Sequence, residues 1–99
     1  MKQRVVESNL SKVERRQLLK SLGKGVREAR VARGLTQLTL SLETGLSKAF
    51  LSDLECGRRN ASFETLCRIA KALKTDVVEL IGGTGDYTLV PRFREIDSK

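Results

Sequence analysis

The stretch that decides the fold is Leu35-Thr36-Gln37-Leu38-Thr39-Leu40-Ser41-Leu42-Glu43-Thr44-Gly45-Leu46-Ser47-Lys48-Ala49-Phe50-Leu51-Ser52-Asp53-Leu54-Glu55-Cys56-Gly57-Arg58-Arg59-Asn60. Thr36 and Ser47 are residues whose side-chain oxygen satisfies a free amide at a helix start, and Gly45 and Gly57 accept the left-handed conformation that ends one. The pattern predicts two short helices, Gln37 to Thr44 and Ser47 through Cys56, joined by a tight turn. Leu40, Leu51 and Leu54 fall on facing inward stripes, and Leu46 plugs the angle between the helices. Ser41 is expected to bond the carbonyl of the preceding turn, and Leu38 and Leu42 to face outward.

Two helices this short cannot bury a core alone, so the flanking segments must supply one. Downstream, Ser62 is a third N-cap, opening a helix from Phe63 to Lys74. Phe63, Leu66, Ile69, Ala70 and Leu73 follow at helical spacing, and Cys67 is expected on the same inward stripe as a small apolar filler. Thr75 or Asp76 starts a last short helix with Val77, Val78, Leu80 and Ile81, and Gly82-Gly83 stops it. Upstream, Ser11-Lys12-Val13-Glu14 matches a capping box, and Val13, Leu18, Leu22, Val26 and Ala29 form a loose helical stripe. Gly23 and Gly25 each cost about 1 kcal/mol relative to Ala inside a helix, which predicts a break. The expectation is a preliminary helix near 12–20 and a main one near 22–33, capped at Gly34. After Gly82, a Gly-rich hinge leads to Tyr87-Thr88-Leu89-Val90, a short β-prone run closed by Pro91. The whole reads as an all-α, five-helix bundle over 22–82. A basic N-terminal arm and helical segment (1–21) precede it, and an extended C-terminal tail (83–99) follows.

Composition narrows the function. The 99 residues contain no His, which removes the usual general base and the commonest metal ligand. Two Cys are too few for a disulfide framework or a structural zinc site, and no apolar run approaches a membrane span or a signal sequence. A cytoplasmic protein with reduced thiols, no cofactor and no metal is expected. The formal net charge is +7, and residues 1–33 hold ten basic residues against three acids, so the excess lies in the first third of the chain. Such asymmetry points to a polyanionic partner, nucleic acid foremost and an anionic membrane second. Two Gly and the lack of Trp or Phe in 11–33 argue against the membrane.

The Thr36-Gln37 start, Gly45 in the turn, Ser47 at the next N-cap and Leu54-Glu55-Cys56-Gly57-Arg58 at the end resemble the Cro/C1-type (XRE) helix-turn-helix of phage repressors, over about residues 22–82. The resemblance implies a lambda-repressor-like bundle that binds double-stranded DNA, its second motif helix lying in the major groove. Lys48, Ala49, Phe50, Ser52 and Asp53 then occupy base-reading positions, with Asp53 either accepting from cytosine or paired within the protein to a base such as Lys48 or Arg59. Gln37 is expected to touch a phosphate and brace the reading helix. Ser47, Arg58, Arg59, Asn60 and Ser62 supply the other backbone contacts, and Lys24, Arg27 and Lys20 are candidates for flanking phosphates. Arg30 and Glu55 match a structural ion pair and so leave the list of DNA contacts. Cys56, at the end of the reading helix, has no expected role. The resemblance further implies a homodimeric repressor on an inverted repeat. Val78, Ile81, Tyr87, Leu89 and Val90 are the expected interface, and Leu10, Val13, Leu18 and Leu19 the rival one. An antitoxin, a restriction–modification controller, or a protein-binding adaptor that kept the fold shares most of these features; an enzyme does not.

Overall fold

The computed structural model describes residues 10–82. Among them are five helices and no strand: α1 (Lys12–Ala32), α2 (Gln37–Thr44), α3 (Lys48–Glu55), α4 (Phe63–Ala72) and α5 (Val77–Gly82). Tyr87, Leu89 and Val90, with the expected tail strand, lie outside the described residues.

The caps behave as the sequence predicts. Thr36, Ser47 and Ser62 each sit in extended backbone and accept the amide of the residue three further on, Thr39, Phe50 and Thr65. Ser11 and Glu14 complete a reciprocal capping box at the head of α1. Gly45, at φ 79°, closes α2 with its amide on the Ser41 carbonyl.

The expected break in α1 does not occur; the helix runs unbroken from Lys12 to Ala32. Both glycines are buried. A Cβ at Gly23 would drive into the Leu54 carbonyl oxygen and stand 2.7 Å from the carbonyl oxygen of Glu55. Gly23 is therefore a point of close approach between α1 and the end of α3, and that packing outweighs the local propensity cost.

One core unites the helices: Val26 from α1, Leu40 from α2, Leu51 and Leu54 from α3, Ile69 and Ala70 from α4, Leu73 and Leu80. Leu22, Ala29, Leu35, Leu46 and Phe50 pack around it. α1 lies against α3 and α5, while α2 bridges α3 and α4. The inward stripe of α4 is narrower than expected, with Leu66, Ile69 and Ala70 buried. Phe63 is 71% exposed and Cys67 is exposed. Phe63 heads the helix, where no neighbouring element lies over it, and Cys67 is displaced around the axis from the Leu66–Ile69–Leu73 line. The expected filler role of Cys67 is thus wrong. Leu38 and Leu42 face solvent as expected.

Candidate nucleic-acid interface

The angle between α2 and α3 is set by hydroxyl chemistry in the turn. Ser41 donates to the Leu46 carbonyl, the turn ahead of it and not the one behind. The Thr44 hydroxyl, buried, donates to the Leu40 carbonyl at 2.8 Å and accepts the Leu46 amide at 3.2 Å. Leu46 thereby has both backbone groups satisfied by side chains of α2, which fixes the residue that plugs the angle. The sequence holds no signal for this use of Thr44, because a Thr near a helix end is equally at home in solvent.

A partly buried ionic cluster locks the far end of α3. Arg30 donates through Nε to Glu55 Oε2 at 2.7 Å and through Nη2 to Oε1 at 3.0 Å, a bidentate pair with side-chain exposures of 11% and 3%. Its third donor reaches the Leu35 carbonyl at 2.7 Å. Gln37 Nε2 adds a bond to Glu55 Oε1 at 3.0 Å. The bond to Glu55 raises the Arg30 pKa above its usual value, against the burial that lowers it, so the guanidinium stays charged. α1, the α1–α2 loop, the start of α2 and the end of α3 thus meet on one carboxylate. The expected ion pair is present, and Gln37 braces α3 by spending its amide on Glu55.

Lys48 and Ala49 are exposed in the first turn of α3. Neither has a side-chain partner among the described residues. Ser52 lies one turn further, half-buried. Asp53 pairs within the protein, and its partner is Arg58 (3.2 Å), not Lys48 or Arg59. Arg59 instead rests over the Phe50 ring, 5.1 Å from its centroid, so the ring that was a candidate for thymine contact carries a guanidinium on its face. Asn60 Oδ1 accepts the Ala61 amide at 2.8 Å, leaving its NH2 to donate outward. Ser62 caps α4 and spends its own proton on the Thr65 hydroxyl, so the anion-binding capacity there rests on the free amides of the helix start. Lys24 and Arg27 are exposed on α1, away from the turn.

Lys48, Ala49, Ser52, Arg58, Arg59 and Asn60 are thus offered by one short helix and the loop that leaves it. The unpaired Lys48 ammonium, one small apolar side chain, the Asn60 NH2 and two guanidinium groups, one held by Asp53 and one resting on Phe50, are groups that base edges and phosphates accept. Among the described residues no group of His, Cys, Asp and Glu has metal-binding geometry, and no helix is long and apolar enough to cross a membrane.

Comparison with known proteins places this geometry. A family model described as helix-turn-helix matches residues 26–80. The chain belongs to the Cro/C1-type (XRE) helix-turn-helix family, DNA-binding transcriptional regulators and not enzymes. It is 39% identical over 67 residues to an uncharacterized HTH-type transcriptional regulator, y4dJ, of Sinorhizobium fredii, covering 68% of this chain and 87% of that one. Over 62 residues it is 36% identical to the immunity repressor protein of Bacillus phage phi105, covering 63% of this chain and only 43% of the repressor. The crystal structure of the restriction-modification controller protein C.AhdI from Aeromonas hydrophila superimposes with a TM-score of 0.61 at 37% identity, covering 63% of this chain and 94% of that one.

Proposed function

We propose that the protein is a sequence-specific repressor that binds an inverted-repeat operator as a two-fold dimer, one α3 in the major groove of each half-site. The observation that carries this reading is the division of α3 into two faces. Leu51, Leu54 and Glu55 are locked into the domain, while Lys48 and Ala49 are left bare beside the Arg58–Asn60 loop. Lys48 donates to guanine O6 or N7, Ala49 packs on a thymine methyl, and Arg59 and Asn60 hold the backbone.

Dimerisation follows from size. An eight-residue helix is about 12 Å long and reaches too few base pairs to define one site in a genome. Val78 is 80% exposed and Ile81 is 41% exposed, both on α5, and they mark the favoured interface. Leu10, Val13 and Leu18 form the rival patch. Selection from random duplexes tests the proposal: the recovered sequences should be inverted repeats with half-sites about 34 Å apart, one DNA turn. Single half-sites, or no enrichment, refute it. Sedimentation of Val78→Asp and Val13→Asp full-length chains assigns the interface, the first variant being expected to dissociate.

Within this class, a controller of restriction–modification genes is the favoured alternative to a phage repressor. The chain covers 94% of C.AhdI and also matches the control protein C.BamHI from Bacillus amyloliquefaciens, at 33% identity over 80% of its length. A methyltransferase gene beside this one decides in its favour.

A further inference from the structure

The residues that match the helix-turn-helix family begin at Val26, yet α1 continues upstream to Lys12. We infer that this upstream half of α1 is a second DNA-binding surface, which takes the phosphate backbone flanking the stretch faced by α3. The inference rests on the DNA reading above and extends it to residues outside the family match.

Lys12, Arg16, Lys20 and Lys24 follow one another at four-residue steps and form a single ridge, flanked by Arg15 and Arg27. All six are exposed, and none forms an ion pair with a described residue. A surface helix that needed only solubility would mix its signs. Here the acids of α1 are Glu14, held in the capping box, and Glu28. Like charges at four-residue steps destabilise a free helix, so the ridge is costly unless a polyanion meets it.

The ridge is also tied to the candidate interface. Lys20 lies on Gly57, so close that a Cβ on that glycine would stand 2.9 Å from Lys20 Cγ and 3.0 Å from its Cα. Gly57 leads directly into Arg58, Arg59 and Asn60. Lys12, Arg15, Arg16 and Leu19, together with Gly57, line a cleft of about 290 Å³. Three cations therefore converge on the residue that precedes the loop offered to phosphates. Successive ridge residues are about 6 Å apart along the axis, a spacing suited to neighbouring phosphates of one strand. A membrane surface fits less well. A helix lying on lipid needs one continuous apolar face, whereas Val13 falls between Lys20 and Lys24 around the axis and no aromatic residue is present in α1.

The test uses the full-length Lys12→Gln/Arg16→Gln/Lys20→Gln variant. Its charge-matched control is Arg68→Gln/Lys71→Gln/Lys74→Gln, whose cations line a cleft at the C-terminal ends of α1, α2 and α4. Both are titrated, with the unaltered chain, onto a mixed-sequence duplex of about three helical turns across a salt series, and melted to confirm equal folding. Each phosphate contact contributes about 0.9 to the slope of log K against log salt, so the ridge variant should lose about 2.7. Between 50 and 200 mM salt the unaltered chain should accordingly weaken about 40-fold more than the ridge variant. The control should lose less than one contact. A loss below one contact in the ridge variant overturns the inference and leaves the DNA reading standing, and loss of binding to phosphatidylserine vesicles with an unchanged DNA slope overturns it in favour of a membrane. An equal loss in the control also overturns it, as an effect of total charge. If the unaltered chain binds no duplex, both readings fall together.

Discussion

Gly23→Ala isolates the contact that sets α1 against α3. In a solvated helix this change would stabilise by about 1 kcal/mol. Here the atoms nearest the new methyl are backbone: the Leu54 carbonyl oxygen, the Glu55 carbonyl oxygen at 2.7 Å and its carbonyl carbon at 2.9 Å. No rotamer change relieves a clash with main chain, so α1 and α3 must separate by about an ångström, and core overpacking of this kind costs about 1–3 kcal/mol. Because the blocking atoms are rigid, the upper end applies, and the net loss is about 2 kcal/mol after the propensity gain. For a domain of this size that lowers Tm by roughly 8–16 °C. Separation also pulls Glu55 from Arg30, so DNA affinity should fall with stability. Thermal melts of Gly23→Ala beside Gln17→Ala, an exposed and uncharged position of the same helix, provide the comparison. A Gly23→Ala protein that melts at or above the unaltered chain refutes the close-approach argument.

Four further outcomes are expected. Glu55→Ala strands the Arg30 charge and leaves the Gln37 amide without its acceptor, and should cost about 3–5 kcal/mol in a denaturant titration, against under about 1 for exposed Glu64→Ala. Thr44→Val removes the side-chain acceptor of the Leu46 amide and should lose about 1–3 kcal/mol, whereas Thr44→Ser should melt near the unaltered chain. Asp53→Asn frees Arg58 and removes an acid from the candidate interface, so binding to all duplexes should tighten with Tm unchanged; weakening on one selected sequence alone would instead make Asp53 a reader of cytosine. Lys48→Ala should change which sequences are selected, by about 1–3 kcal/mol at one base pair, and a uniform weakening would show it to be a phosphate ligand.

What the sequence made legible was local. Thr36, Gly45, Ser47 and Ser62 act within four residues of themselves, so their spacing alone located α2, α3 and α4, and Arg30 and Glu55 were identified through the family resemblance. What it hid depends on residues distant along the chain. Gly23 looked like a helix breaker because its reason for being glycine lies on α3, over thirty residues away. Cys67 and Phe63 were assigned inward on composition and spacing, yet what lies over each position is decided by neighbouring helices. In the candidate site, Arg58 and Arg59 were recognised as a pair, but their division of labour, one on Asp53 and one on Phe50, follows from how the loop folds back along α3.

The separation of anchored and bare positions on α3 has a consequence for how such a protein diverges. The residues that hold the helix in place, Leu51, Leu54 and Glu55, and those that project from it, Lys48 and Ala49, share no side-chain bond among the described contacts. Replacing Lys48 or Ala49 therefore leaves the energy of folding nearly untouched, while almost any change at Glu55 is purged through instability. Mutation can walk freely over the outward pair without passing through an unfolded intermediate, so under the proposed function duplicated copies of this gene can acquire separate targets in few steps. If the proposed reading of α3 holds, the same property makes positions 48 and 49 the first to randomise when redirecting the protein to a chosen sequence.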